Sequence, residues 1–311
     1  MKQPVVTIVG PTAVGKTSLS VEIAKRFGGE VISGDSMQIY KGMDIGTAKV
    51  TEEEKDNIPH YMIDIKDPSQ SFSVADFQSY VNQYIKEISE NGYLPILAGG
   101  TGLYIQAALY GYNFSDSKRD DTYQLQIEKE IKDKGIDNVY QRLQTVDPVQ
   151  AEKIHPNNER RVVRALEVFD RTGMTMTQYH EHQQLESIYK PILIGLEMDR
   201  EILYDQINKR VDKMIEDGLV EEVKFFYEKG LEHAQSMKAI GYKELIPYLK
   251  GQQTLEESVQ LLKRNSRRYA KRQYTWFRNK MEVDWYSITE VTKNEKFEII
   301  LDDLAGKLKE K

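Results

Sequence analysis

Residues 10–17 read GPTAVGKT: glycine, four intervening residues, glycine, lysine and threonine. This is the pattern of a loop whose backbone amides wrap a phosphate chain. Gly10 and Gly15 let the amides close around phosphate oxygens, and Pro11, Thr12, Ala13 and Val14 complete the ring. Lys16 supplies a mobile cation, and Thr17 a hydroxyl able to hold Mg²⁺. The apolar run Val5–Val9 precedes the loop and a helical stretch from about Thr17 to Phe27 follows it. The partial positive charge of a helix N-terminus therefore adds to the anion site. Such a loop implies that a di- or triphosphate binds; it does not say which one, or what happens to it.

Two further segments are expected to reach the same place. Ligands of an open parallel sheet sit beyond the carboxyl ends of its strands. Asp35 and Ser36 follow the second strand in SGDSMQIY, and Gly99, Gly100 and Thr101 follow a later one in LAGGTGLY. Asp35 suits a general base or a Mg²⁺ ligand, and equally an N-cap or an Asx-turn. Gly99 to Thr101 suit a close backbone approach with a hydroxyl to offer, or a plain strand-to-helix turn. A GTPase would carry DxxG after a strand and NKxD later. One DxxG, Asp170–Gly173, ends a helical pattern, and Asp212 stands one place too far from Asn208-Lys209. A small-molecule kinase using ATP stays open, as does an RNA-binding protein whose loop only senses a nucleotide.

The elements that must position these residues follow from periodicity. Val31–Ser33 and Tyr93–Ala98 read as strands, and Ser73 with Asp76 as a capping box. That box opens a helix in which Phe77, Tyr80, Val81, Tyr84, Ile85 and Ile88 share one face. Residues 41–72 are polar and turn-rich. Residues 115–185 turn helical without a strand, and hold 11 basic and 13 acidic residues. Lys190–Met198 returns to strand, residues 200–280 are helical with breaks at Gly218, Gly230, Gly241 and Gly251, and Val283–Ile288 is a last short strand. The expected fold is α/β: a P-loop NTPase-like parallel sheet core (1–114 and 186–311), an inserted all-helical domain (115–185), and a helical C-terminal part.

Composition sets outer limits. The chain has 311 residues, 40% of them hydrophobic, and a net charge of −6. It has no cysteine, which excludes disulfides, thiolate metal sites and thiol catalysis. No apolar window reaches the length of a membrane span, so no membrane partner is expected. Between Glu257 and Glu282 the sequence has no acidic residue. It has Lys263, Arg264, Arg267, Arg268, Lys271, Arg272, Arg278 and Lys280, interleaved with Tyr269, Tyr274, Trp276 and Phe277. That run is expected to make one face of the protein strongly basic.

In order along the chain, GPTAVGKT, SGDSMQIY with DIGTAK at 44–49, LAGGTGLY, NNERRVVRALEV at 157–168, INKRVDKMIEDGLVEEV at 207–223, AIGYKEL at 239–245 and RRYAKRQYTWFRN at 267–279 resemble the tRNA dimethylallyltransferases. The resemblance implies transfer of a dimethylallyl group from its diphosphate to the exocyclic amine of the tRNA adenine 3′-adjacent to the anticodon. The loop 10–17 would then bind the donor's diphosphate with Mg²⁺ on Thr17. It implies Asp35 as the base, Thr101 at the reacting centre, and Lys16 and Arg210 on the diphosphate. It further implies an anticodon stem-loop held by Asp35, Ser36, Met37, Gln38 and Thr101, by Glu159, Arg160, Arg161, Val162, Val163 and Arg164 of the insertion, and by Ile240, Gly241, Tyr242 and Lys243. The basic run adds Arg267, Arg268, Lys271 and Arg272. A cytoplasmic monomer is expected. Gly34 stands where the family often has alanine, His60-Tyr61 where a His-His pair is common, and a chain without cysteine lacks the zinc finger of longer relatives.

Overall fold

The structure, a computed structural model, describes residues 2–112, 121–181 and 186–309. Contacts divide the chain into two compact units: Met1–Tyr110 with Ser187–Lys311, and Gly111–Glu186. The expected domain boundaries at 114/115 and at 185 fall outside the described residues.

The first unit is built on a parallel sheet. Its elements are β1 (Pro4–Val9), α1 (Lys16–Phe27), β2 (Gly29–Ser33), α2 (Glu52–Lys55), β3 (His60–Tyr61), α3 (Val74–Glu90), β4 (Leu94–Gly99) and α4 (Gly102–Leu109). The strand order is β3-β2-β4-β1, and it continues to two later strands. β1 lies between β4 and the returning strand, pairing Val6 with Ile96 and with Ile192. A strand flanked on both sides and covered on both faces cannot alternate polar and apolar residues. Accordingly Val5, Val6, Ile8 and Val9 are all fully buried.

The turn-rich expectation for 41–72 misses α2 and β3. A helix of four residues and a strand of two are too short to show a period, and both are held by local bonds. Thr51 and Glu54 form a capping box on α2, and Val31 N–H donates to the Pro59 carbonyl beside β3. The Ser73–Asp76 capping box of α3 is present, and Phe77, Val81, Ile85 and Ile88 are buried beneath it.

The second unit is helical throughout its described residues: α5 (Asp121–Lys134), α6 (Ile136–Val146), α7 (Pro148–Lys153), α8 (Glu159–Thr172) and α9 (Met176–Glu181). It has its own core, in which Val162, Val163 and Leu166 of α8 pack with Val139, Leu143 and Ile154. Asp147 is buried and accepts from the N–H of Gln150 and from both the N–H and hydroxyl of Thr177, which ties α7 to α9.

The chain then re-enters the first unit through β5 (Lys190–Glu197), α10 (Arg200–Glu216), α11 (Leu219–Glu228), α12 (Ile246–Leu249), α13 (Leu255–Lys280), β6 (Asp284–Ser287) and α14 (Lys293–Lys309). α13 opens with a Thr254–Glu257 capping box. It buries Ser258, Leu262, Ala270, Gln273 and Phe277 at helical spacing, so its basic residues are left on other faces. Among the described residues no helix is long and apolar enough to cross a membrane.

Candidate active site

The phosphate loop leaves β1 at Gly10 and enters α1 at Lys16. Gly10 has φ +148, and a Cβ there would lie 2.6 Å from the Leu196 carbonyl oxygen, so a side chain is excluded by both conformation and space. Ala13 also takes a left-handed φ of 66, the bend that turns successive amides toward one centre. The Lys16 ammonium donates to the Pro11 carbonyl at 2.6 Å and so folds back over its own loop.

Helix α13 locks this loop to the end of β4. Thr12 N–H donates to Gln273 Oε1 at 3.0 Å, and Gln273 Nε2 donates to the Gly100 carbonyl at 3.1 Å. A Cβ on Gly100 would sit 2.0 Å from that Nε2. Gly99 is equally constrained, since its Cβ would meet Gly34 backbone at 2.4 Å. The second and fourth strand ends therefore touch through two glycines, which accounts for the paired glycines of SGDS and LAGGTG.

Asp35, at the end of β2, accepts from Met37 N–H at 2.7 Å in an Asx-turn. The structural reading and the chemical one thus hold together, because one carboxylate oxygen makes the turn. Burial raises the Asp35 carboxyl above its ordinary range, while the Met37 and Gln38 N–H groups, Lys16 and Arg210 pull it back. Burial, and then the charge of Arg210, push the Lys16 ammonium down to about 7, with Asp35 opposing. Burial likewise lowers Arg210, against Asp35 and Glu54. Three charged groups thus share one poorly solvated place, with two cations facing one anion. The Thr101 hydroxyl is buried and faces the Tyr269 phenol, without a well-aligned hydrogen bond among the described residues.

A cavity of about 310 Å³ opens beside this cluster. Thr12, Asp35 and Arg210 border it, Ser266, Tyr269 and Arg272 of α13 form one side, and Gly46, Thr47 and Lys238–Gly241 with Lys243 form another. Met37, Val211, Met214 and Leu262 make it partly apolar. The site thus offers cations, a carboxylate, orphan hydroxyl capacity and an apolar wall. Among the described residues no three His, Cys, Asp or Glu side chains come together to cage a metal. Thr17, exposed on the first turn of α1, fits an ion that brings phosphate oxygens of its own, as Mg²⁺ commonly does.

Several expected residues lie elsewhere. Val162 and Val163 belong to the core of the insertion, so their side chains pack inward and are not offered to a surface ligand. Glu159, Arg160 and Arg161 are exposed on α8, whereas Arg164 is paired at 2.8 Å with Glu167, a buried carboxylate. Tyr242 is fully buried and its hydroxyl donates to Glu222, so its side chain too points inward, while Ile240, Gly241 and Lys243 line the cavity. Gln38 lies off the cavity. Its Oε1 accepts from Ser33, and its Nε2 donates to the Thr47 and Ala48 carbonyls.

The basic run is divided. Lys263 pairs with Asp212, Arg278 with Glu197, and Arg267 donates to Asn208. Arg264, Arg268, Lys271 and Arg272 are exposed on one face of α13. Tyr269, expected in the core, borders the cavity. Burial, and then the Asp35 charge, push its phenol up to about 12, against Thr101, Arg272 and Gln273. The sequence signal for it was present but ambiguous, since an aromatic within a helical run reads first as core. Gly46 and Thr47 lay in the DIGTAK segment without a role assigned to them, and Lys238 and Ser266 carried no signal of their own.

These residues match known proteins closely. The IPP transferase family profile matches residues 38–280. The chain is 60% identical over its full length to a tRNA dimethylallyltransferase of Oceanobacillus iheyensis, covering 99% of that protein. It superposes on the tRNA isopentenylpyrophosphate transferase of Bacillus halodurans with a TM-score of 0.77 at 53% identity, covering 99% of this chain and 98% of that one. A eukaryotic dimethylallyltransferase acting on tRNA gives a TM-score of 0.80 at 31% identity, covering 93% of this chain and 75% of that one. With the phosphate loop, the half-buried Asp35 and the cavity that Thr12 and Asp35 border in place, the chain belongs to the IPP transferase family, the tRNA dimethylallyltransferases.

Proposed function

We propose that this protein transfers a dimethylallyl group from dimethylallyl diphosphate to the exocyclic amine of the tRNA adenine 3′-adjacent to the anticodon. The observation that carries the reading is the half-buried cluster of Lys16, Arg210 and Asp35, of which Asp35 and Arg210 line a partly apolar cavity. Two cations suit a departing diphosphate, and the carboxylate suits a proton released beside it.

The adenine amine nitrogen bonds to the terminal allylic carbon, the carbon–oxygen bond to diphosphate breaks, and the pair from that bond leaves on oxygen. Asp35 takes the amine proton as the nitrogen becomes bonded. Lys16, Arg210 and the loop 10–17 receive the growing charge of the leaving group, and the Thr101 hydroxyl is a donor for the bridging oxygen. Thr17 would hold Mg²⁺ against the diphosphate, where the ion supplies further charge neutralisation.

The acceptor base must leave the loop stack to enter a cavity of this kind. RNA loops are gripped through phosphates and read by stacking and edge contacts. The exposed Arg264, Arg268, Lys271 and Arg272 of α13, and separately Glu159, Arg160 and Arg161 of the insertion, supply such surfaces. The expected site of action is the cytoplasm.

The test is direct. With Mg²⁺, labelled dimethylallyl diphosphate and unmodified tRNA, label should enter the RNA at the adenine beside the anticodon. No label in RNA, with a terminal phosphate instead moved from ATP to a small acceptor, would replace this reading by a kinase.

A further inference from the structure

We infer that Glu222 is the positioning residue that builds the acceptor side of the cavity, an inference that rests on the reading above. Its carboxylate is the centre of a dense internal bonding site. Oε2 accepts from Asp44 N–H at 2.9 Å and Ile45 N–H at 2.8 Å, and Oε1 accepts from Gly46 N–H at 3.0 Å. The Tyr242 hydroxyl also donates to Oε1. Four donors from two segments, far from Glu222 and from each other in sequence, therefore converge on one side chain.

The convergence is also steric. A Cβ on Gly46 would lie 2.4 Å from the Tyr242 ring, so glycine alone lets the 44–47 loop press against that ring. Gly241, at φ +106, faces Gly46 backbone across the same contact. The 239–243 segment is pinned from its other side by Glu244, buried, which accepts from Gly241 N–H at 2.8 Å and from Asn265 of α13 at 2.9 Å. Inward-pointing Tyr242 and Glu244 thus alternate with Ile240, Gly241 and Lys243, which line the cavity.

Glu222 itself is not among the residues bordering the cavity. Its effect passes through Gly46 and Thr47 on one segment and Ile240, Gly241 and Lys243 on the other. Thr12, Asp35 and Arg210 mark the donor end of the cavity, so the surfaces held by Glu222 are those left to shape the space for the base. Losing the carboxylate should loosen that space and leave the phosphate loop untouched. The loop is held independently, by Gln273.

Glu222→Gln tests this. The amide NH₂ can face neither pair of donors without setting donor against donor. Steady-state kinetics should show KM for tRNA raised about tenfold or more, with KM for dimethylallyl diphosphate changed less than about twofold. Hydrogen exchange at the amides of 44–46 should quicken. Tyr242→Phe removes a single donor and keeps the three N–H bonds, so it should shift KM for tRNA in the same direction by a smaller factor. This milder variant judges the proposal if Glu222→Gln fails to fold.

Unchanged KM for tRNA in both variants, or an equal rise in both KM values, would overturn the role. So would exchange at 44–46 that stays at the wild-type rate. Wild-type protein that transfers no label to tRNA would instead sink the acceptor reading, and the exchange measurement would still judge the wall itself.

Discussion

Basic side chains do two different jobs in this protein, and burial separates them. Lys16 and Arg210 sit in the cavity cluster, where burial drives both pKa values down and Asp35 is the nearby counter-charge. Arg160 and Arg161 stand exposed on α8, in water. A buried cation is costly until an anion arrives, so the cluster is built to gain most from a ligand that brings several charges at once. An exposed cation costs little, and gains little from any one phosphate. The first kind of site should show large, pH-dependent effects that salt hardly screens. The second should show small effects that salt controls.

Asp35→Asn is the sharpest way to break the half-buried cluster. The amide keeps the Asx-turn to Met37 N–H and most of the shape, but cannot take a proton. Turnover should fall about 10²–10⁴-fold, the usual range for a lost general base. Donor binding, measured by calorimetry with dimethylallyl diphosphate and Mg²⁺, should persist. A variant that no longer binds the donor would make Asp35 a structural or metal-holding residue. Lys16→Ala comes next. Its ammonium hydrogen-bonds to its own loop, at Pro11, and holds no other element by a hydrogen bond among the described residues, so the fold should survive. Loss of one preorganised contact to the developing charge should lower kcat by about 10²–10³-fold. Near-wild-type turnover in Lys16→Ala would remove the loop from the mechanism.

The legibility of these two regions differs for the same physical reason. The phosphate loop is contiguous, so Gly10 to Thr17 could be read from their own spacing, and the Ser73–Asp76 cap likewise. The sheet core was legible because β1, β4 and β5 are mostly apolar runs. The far wall of the cavity was not, since Glu222 acts on Asp44, Ile45 and Gly46 from the other end of the unit. A motif match also cannot tell which way a side chain points. NNERRVVRALEV carries Val162 and Val163 into a core beside two exposed arginines, and AIGYKEL turns Tyr242 inward beside Lys243. Hydrophobic periodicity would have separated the valines. For Tyr242, whose hydroxyl has an internal acceptor, nothing local would have.

A third effect sharpens the contrast through protons. In the free protein the Lys16 ammonium titrates near 7, lowered chiefly by burial. A diphosphate in the loop stabilises the charged form, so binding must raise that pKa. At pH 8 the free side chain is mostly neutral, and donor binding should therefore take up a proton. Affinity should fall as pH rises above 7, by up to about tenfold per unit. Calorimetry at pH 8 in two buffers of different ionisation enthalpy measures the uptake. No uptake would mean that Lys16 is already charged when the loop is empty.

The smallest effect belongs to the exposed arginines, and its signature is salt. Arg164 is a poor probe, because its pairing with the buried Glu167 makes any substitution a test of stability as well. Arg160→Gln and Arg161→Gln are clean, since both side chains are exposed on α8 and neither belongs to its core. A lost phosphate contact should flatten the log–log salt dependence of tRNA binding by about 0.7 and weaken binding only a few-fold at moderate salt. The same variants should leave donor affinity and its pH dependence untouched, as the two kinds of basic residue belong to different compact units. Titrations of each variant with tRNA over a series of salt concentrations supply the slope. If the slope stays at the wild-type value, α8 does not hold the RNA backbone, and the exposed face of α13, with Arg264, Arg268 and Lys271, must carry that contact in its place.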